Sequence, residues 1–238
     1  MTQQVAQQPL PAWARAYQLP DEIRHDGRLA ELEAKIAALV AERDAIERDH
    51  DSLAIQKHLF ASEGAAFAAQ IEWALSTLGF AIQAAGDGGR AGVARWNGRT
   101  LVFEGRGYRG EANDGEIWVS LQRKVSEFVQ THRERPKGLA IVNAFLDTRL
   151  EDRRIGGLPE KLIANTRYDH YCLVSGLQLL NMALTARAEP GRKDGLVELL
   201  FSTDGLLRGF DDWRMHLRPG DAAVTRADAG SASRTAAA

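Results

Sequence analysis

The sequence predicts an α/β fold, a mixed β-sheet flanked by helices, carried behind a long N-terminal coiled-coil helix. Three observations predict it. From about Asp21 to His58 the chain holds no proline, a single glycine and mostly strong helix formers. An Asn97-Gly98 pair separates two β-like runs, 92–96 and 100–103, and its left-handed dihedrals suit a tight hairpin. Further on, the apolar runs Leu139-Ala140-Ile141-Val142 and Tyr171-Cys172-Leu173-Val174 do not alternate, as expected of strands covered on both faces, and helical stripes lie between them.

In chain order, residues 1–20 are polar and punctuated by proline, and predict a flexible N-terminus without the apolar core of a signal peptide. Residues 21–58 form the coiled-coil helix. With Leu29, Ile36, Arg43 and His50 at heptad position a, the d column reads Leu32, Leu39, Ile46 and Leu53. The seam is apolar at d throughout and turns polar at a after two heptads, a device that sets register or partner choice. Self-association or pairing with a partner helix is expected; packing on the chain's own domain is the other reading.

Residues 59–217 form the sheet domain. A break at Gly64 precedes a helix over 65–78 that buries Phe67, Ile71, Ala74, Leu75 and Leu78, closed by Gly79. Short strands at 80–82, 92–96 and 100–103 follow. Ile117, Leu121, Val125, Phe128 and Val129 then mark a helix over 116–131. Pro136 and Gly138 lead into the strand 139–142, a helix over 158–165 leads to the strand 171–174, and Ser175 caps a helix to about Arg187. Residues 190–217 predict one or two short helices, with Trp213 anchoring on the core. The tail, 218–238, lacks bulky apolar residues and cannot offset its own ordering entropy, so disorder is expected.

Composition narrows the function classes. Apolar residues at 45% and charged residues at 26% fit a folded domain and neither a disordered nor a membrane protein. A net charge of −2 offers nucleic acid no bulk attraction, so any contact with it would need local clusters of Arg and Lys. The single cysteine, Cys172, excludes an intramolecular disulfide and a cysteine zinc site, and suits a cytoplasmic location. No Gly-x-Ser-x-Gly occurs, the six histidines show no metal-ligand spacing, and Gly105 to Gly110 lacks the register of a dinucleotide loop. Asp169-His170 suggests an acid–base pair, although a polar residue before a buried strand is ordinary. Trp73, Trp96, Trp118 and Trp213 read as core or edge anchors.

Several segments in register resemble the PD-(D/E)XK nuclease superfamily, specifically bacterial restriction-endonuclease-like proteins with an N-terminal coiled coil. Ala74 to Phe80 resembles the helix end and turn into that family's first strand. Leu101 to Gly107 sits where the family has an apolar strand ending in Glu-x-Lys-Gly. Gln122 is similar to the glutamine that follows in the next helix, Leu139 to Asn143 to the buried strand, and Tyr171 to Leu177 to the last strand and helix start. The resemblance covers about Leu59 to Ala186 and implies a restriction-endonuclease-like fold.

It also implies metal-assisted phosphodiester hydrolysis, in which an Asp and a Glu hold magnesium and a lysine orients the attacking water. Glu104 occupies the Glu position, but Arg106 stands at the lysine, and no acid stands at Gly92-Val93 or Ala68-Ala69 where further ligands are expected. Glu104, Arg106 and Gln122 therefore read as the remnant of a catalytic motif, without a cofactor. The reading that follows is a catalytically inactive nuclease-like protein, acting as a nucleic-acid-binding or scaffold module and dimerising through its coiled coil. Arg106, Arg109, Arg123 and Lys124 are the candidate DNA-binding residues, with Tyr108, His132, Arg133, Arg135 and Lys137 extending that face. The alternative is an active metal-dependent nuclease in which Asp87, Glu72, Glu111 or Asp114 has taken over as a magnesium ligand beside Glu104. A third possibility is a coiled-coil interaction protein with a passive domain.

Overall fold

The computed structural model describes residues 11, 13–84, 91–112, 114–153 and 158–219; most of the expected flexible N-terminus and tail, and Asp87, lie outside these. The chain divides into two units, residues 1–54 and 55–238.

The first unit is dominated by α1, Pro20–Ile55, 36 residues long. Pro20 opens it, since a first-turn proline has no N–H to leave unsatisfied. The Leu19 N–H donates to the Glu22 carboxylate at 2.7 Å, and Asp21 and Glu22 place negative charge at the positive end of the helix. Leu29, Leu32, Ile36, Leu39, Ile46 and Leu53, the apolar side chains of the expected seam, are 41% to 65% exposed on the single chain. The helix stops at Ile55, short of the expected His58. Gln56 and Lys57 turn the chain into α2, His58–Ala61, which carries the fully buried Leu59.

In the second unit α2 is followed by α3, Gly64–Thr77. Gly79, at φ +97°, closes it in the left-handed conformation that a Cβ would disfavour, and the Phe80 N–H reaches back to the Leu75 carbonyl at 3.0 Å. Strands β1 (Ala81–Ala84), β2 (Ala91–Trp96) and β3 (Arg99–Gly107) form an antiparallel meander. Asn97 and Gly98 make the β2–β3 turn with φ of 46° and 76°, the two left-handed residues that a two-residue hairpin needs. Then follow α4 (Asp114–His132), β4 (Lys137–Asn143), α5 (Glu160–Tyr168), β5 (Cys172–Ser175), α6 (Gly176–Ala188), α7 (Lys193–Ser202) and β6 (Gly205–Leu206). The strands lie in the order β1-β2-β3-β4-β5-β6, parallel from β3 onward.

Strand β3 exceeds its expected length because β4 pairs with it from Leu101 through Gly107. Strand β6 was not expected: two residues carry no period. The expected cap of α6 is a full capping box, with the Gln178 N–H donating to Ser175 Oγ and the Ser175 N–H to Gln178 Oε1.

Alternation along the strands divides the core in two. Phe103, Leu139, Ile141, Cys172 and Val174 point to one face and pack with α3, α6 and α7. Val102, Ala140, Val142 and Leu173 point to the other and pack with α4 and α5. Among the described residues no helix is long and apolar enough to cross a membrane.

Candidate functional site

Glu104 lies on β3 two residues beyond Val102, so it faces α4. Its side chain is only 6% exposed, and both of its oxygens face cations. Oε1 is 3.5 Å from Arg106 Nε, one strand repeat further on, and Oε2 is 3.5 Å from Lys124 Nζ on α4. Arg106 Nη1 in turn donates to Glu116 Oε2 at 3.1 Å. Glu104 Oε2 and Arg106 Nε are buried without a hydrogen bond, so the contacts are ion pairs at charge-contact range. Tyr108, next along the strand direction, has its hydroxyl pushed up to about 12, mainly by burial, with Glu116 and Glu104 adding to the rise against Arg106. It stays protonated at neutral pH and cannot serve as a base.

The expected ligand positions are filled by other chemistry. Ala91 lies directly opposite Glu104 in the β2–β3 register, while Gly92 lies opposite Phe103 on the other face of the sheet. Helix α3, which carries Ala68, Ala69 and Glu72, packs on that other face as well, so Glu72 does not share a site with Glu104. Glu111 is exposed in the loop before α4, and the carboxylates of Asp87 and Asp114 lie outside the described residues. Among the described residues no group of three His, Cys, Asp or Glu side chains is placed to hold a metal ion. Magnesium relies on carboxylates and retained waters; Glu104, already flanked by a guanidinium and an ammonium, does not fit that requirement.

The other predicted residues are spread apart. Gln122 is exposed on α4, and Arg123 faces Glu127 at 3.8 Å. Arg109 is exposed between Asp147, at 3.1 Å, and Glu63, at 3.5 Å. Of the four candidate DNA-binding cations, only Arg106 and Lys124 meet, and they meet at Glu104. Glu116 joins them without having been expected. The loop bearing Arg109 is held close by Gly107, where a Cβ would sit 2.7 Å from Glu63 Cβ.

Two further features lie away from Glu104. Chains leaving β4 and β5 go to opposite faces, to α5 and α6, and a cleft of about 620 Å³ opens at those strand ends, with Trp213 in its wall. Its buried polar residues are committed to the fold: Asn143 bonds Leu59 O and the Gly176 N–H, and Gln178 bonds Leu207 O and Gly209 O.

At the opposite strand ends His170 pairs with Asp204 at 2.7 Å, not with Asp169, which accepts from Trp118 Nε1 at 2.7 Å. The hydrogen bond from His170, then that from Lys137, hold the Asp204 carboxyl below its usual range. A carboxyl depressed in the fold contributes stability that is full above its ordinary pKa and lost as pH falls through the depressed value. Asp204→Asn is therefore expected to lower stability at pH 7, by under about 1 kcal/mol because the pair is part-exposed. Urea denaturation should show the gap between wild type and variant closing as pH falls below the ordinary carboxylate range.

No protein-family model matches the chain, and comparisons with curated proteins and with solved structures find no match.

Proposed function

We propose that the chain is a non-catalytic interaction protein: a restriction-endonuclease-like domain whose former metal position is closed by ion pairs, joined to a helix, α1, that makes it a dimer. The order α3, β1, the β2–β3 hairpin, α4, β4, α5, β5, α6 supports the resemblance, with Glu104 on the strand where the motif is expected. One observation carries the functional reading. Arg106, Arg109, Arg123 and Lys124 each already face a carboxylate of this chain within 4.0 Å. The pairs of Arg109 and Arg123 are exposed and exchange readily, but at Arg106 and Lys124 a phosphate would have to displace the buried Glu104, which favours a scaffold over a nucleic-acid reader.

Sedimentation equilibrium of the full chain tests the dimer: about twice the 26.1 kDa chain mass is expected, and the chain mass alone for Leu32→Asp/Leu39→Asp. Anisotropy with labelled single- and double-stranded DNA at low salt tests the scaffold reading. No saturable binding is expected, and tight binding lost in Arg109→Ala/Arg123→Ala would contradict it.

A further inference from the structure

We infer that α1 pairs with α1 of a second copy of this chain running in the opposite direction, centred between Ala37 and Ala38, so that its flanking charges interlock. This rests on the self-association proposed above and adds its direction and register. The columns beside an a/d seam are e and g, whose charges select partner and orientation. In α1 the g column reads Asp21, Arg28, Lys35, Glu42 and Asp49, and the e column Asp26, Glu33, Val40, Glu47 and Ala54. From Arg28 onward the g column thus reverses sign at the middle of the helix.

In a parallel pair each g residue faces the e residue five positions on. Asp21 would meet the partner's Asp26 and Glu42 the partner's Glu47, both repulsive, against one attractive contact, Arg28 with the partner's Glu33. Position a would also meet itself, setting Arg43 against Arg43. In the centred antiparallel pair g faces g and e faces e. Arg28 meets the partner's Asp49 and Lys35 the partner's Glu42, against one repulsive contact, Asp26 with the partner's Glu47.

The core agrees with this direction. Leu29 meets the partner's Ile46, Ile36 the partner's Leu39, and Arg43 lays its aliphatic stem along the partner's Leu32. Polar layers, His50 with His25 and Leu53 with Glu22, fall at the ends. On the single chain Lys35, Glu42 and Asp49 make no ion pair among the described residues, and Arg28 has only an exposed i,i+3 contact with Glu31. Such surface pairs are weak and exchange readily. The centred register overlaps all 36 residues of α1, so the two Ile55 ends of the paired helices stand about 54 Å apart.

Disulfide trapping in the full chain tests the direction. Cys172 is fully buried, with its thiol pushed up to about 12 by burial, and stays out of the reaction. Leu29→Cys and Ile46→Cys chains are oxidised with glutathione disulfide, separately and mixed. A covalent dimer containing one of each is expected only from the mixture, because like cysteines stand about 26 Å apart in the antiparallel pair.

Cross-linking of each variant to itself would show parallel helices and overturn the inference. A dimer by sedimentation that cross-links in neither case would overturn the register, and a monomer would remove the self-association beneath it. As a second readout, Lys35→Glu is expected to raise the dimer dissociation constant about tenfold, with Lys35→Glu/Glu42→Lys restoring it. An unchanged constant in Lys35→Glu would contradict the interlocked charges.

Discussion

Replacing Glu104 by alanine is expected to lower the stability of the chain by about 3–5 kcal/mol, read as a fall in the urea midpoint at constant slope. The carboxylate is enclosed between Arg106, whose side chain is 30% exposed, and Lys124, at 15%. Its removal takes from two part-buried cations the buried negative charge they share, and leaves Arg106 its contact with the more exposed Glu116. A buried pair broken on one side costs more than the pair was worth, because the remaining charge keeps its desolvation penalty. Glu104→Gln preserves the shape and is expected to cost less. A carboxylate kept to bind metal behaves oppositely: in the metal-free protein its removal relieves repulsion among neighbouring acids, and added magnesium stabilises the wild type alone. The sign of the change separates a structural clamp from a metal ligand.

The second large effect is expected at Gly176, the first residue of α6. A Cβ there would overlap the Leu59 carbonyl oxygen and Asn143 Oδ1. Neither can retreat freely, because Asn143 accepts from the Gly176 N–H at 3.1 Å and donates to Leu59 O at 2.7 Å. This knot ties α2 and the end of β4 to the start of α6. Gly176→Ala is expected to cost about 3 kcal/mol by overpacking. Gly195→Ala on α7, which meets nothing within 4 Å, is expected to be neutral or stabilising by up to about 1 kcal/mol. Thermal melts of the two variants side by side distinguish local crowding from a general intolerance of alanine for glycine.

The elements that were legible in the sequence are those whose signal is local. Asn97-Gly98, Gly79 and Ser175 each dictate a backbone conformation or a cap through their own chemistry, and each does so in the structure. Strands β4 and β5 announced themselves by unbroken apolar runs, because helices cover them on both faces. Strand β6 was not legible, being two residues whose pairing with β5 depends on the path of α6 and α7.

At the site, Glu104 was legible as an acid ending an apolar strand, but its surroundings were not, since ion pairs across a strand and a helix depend on register. One signal was available. Ile117, Leu121 and Phe128 define the buried stripe of α4, and position 124 falls on it, seven residues after Ile117 and four before Phe128. A lysine on an apolar stripe calls for a buried acid, and Glu104 is that acid. Gln122 and Arg123 follow the stripe's own residue Leu121 and turn outward, as the helical period requires.

We propose that Glu104 holds the fold together and does no cutting. The most direct test incubates the full chain with single- and double-stranded DNA and with RNA, in magnesium and in manganese, beside Glu104→Gln shown by circular dichroism to be folded. The substrates are expected to stay intact with both proteins. A product that requires the metal and vanishes in Glu104→Gln would contradict the claim and restore the site as an active centre.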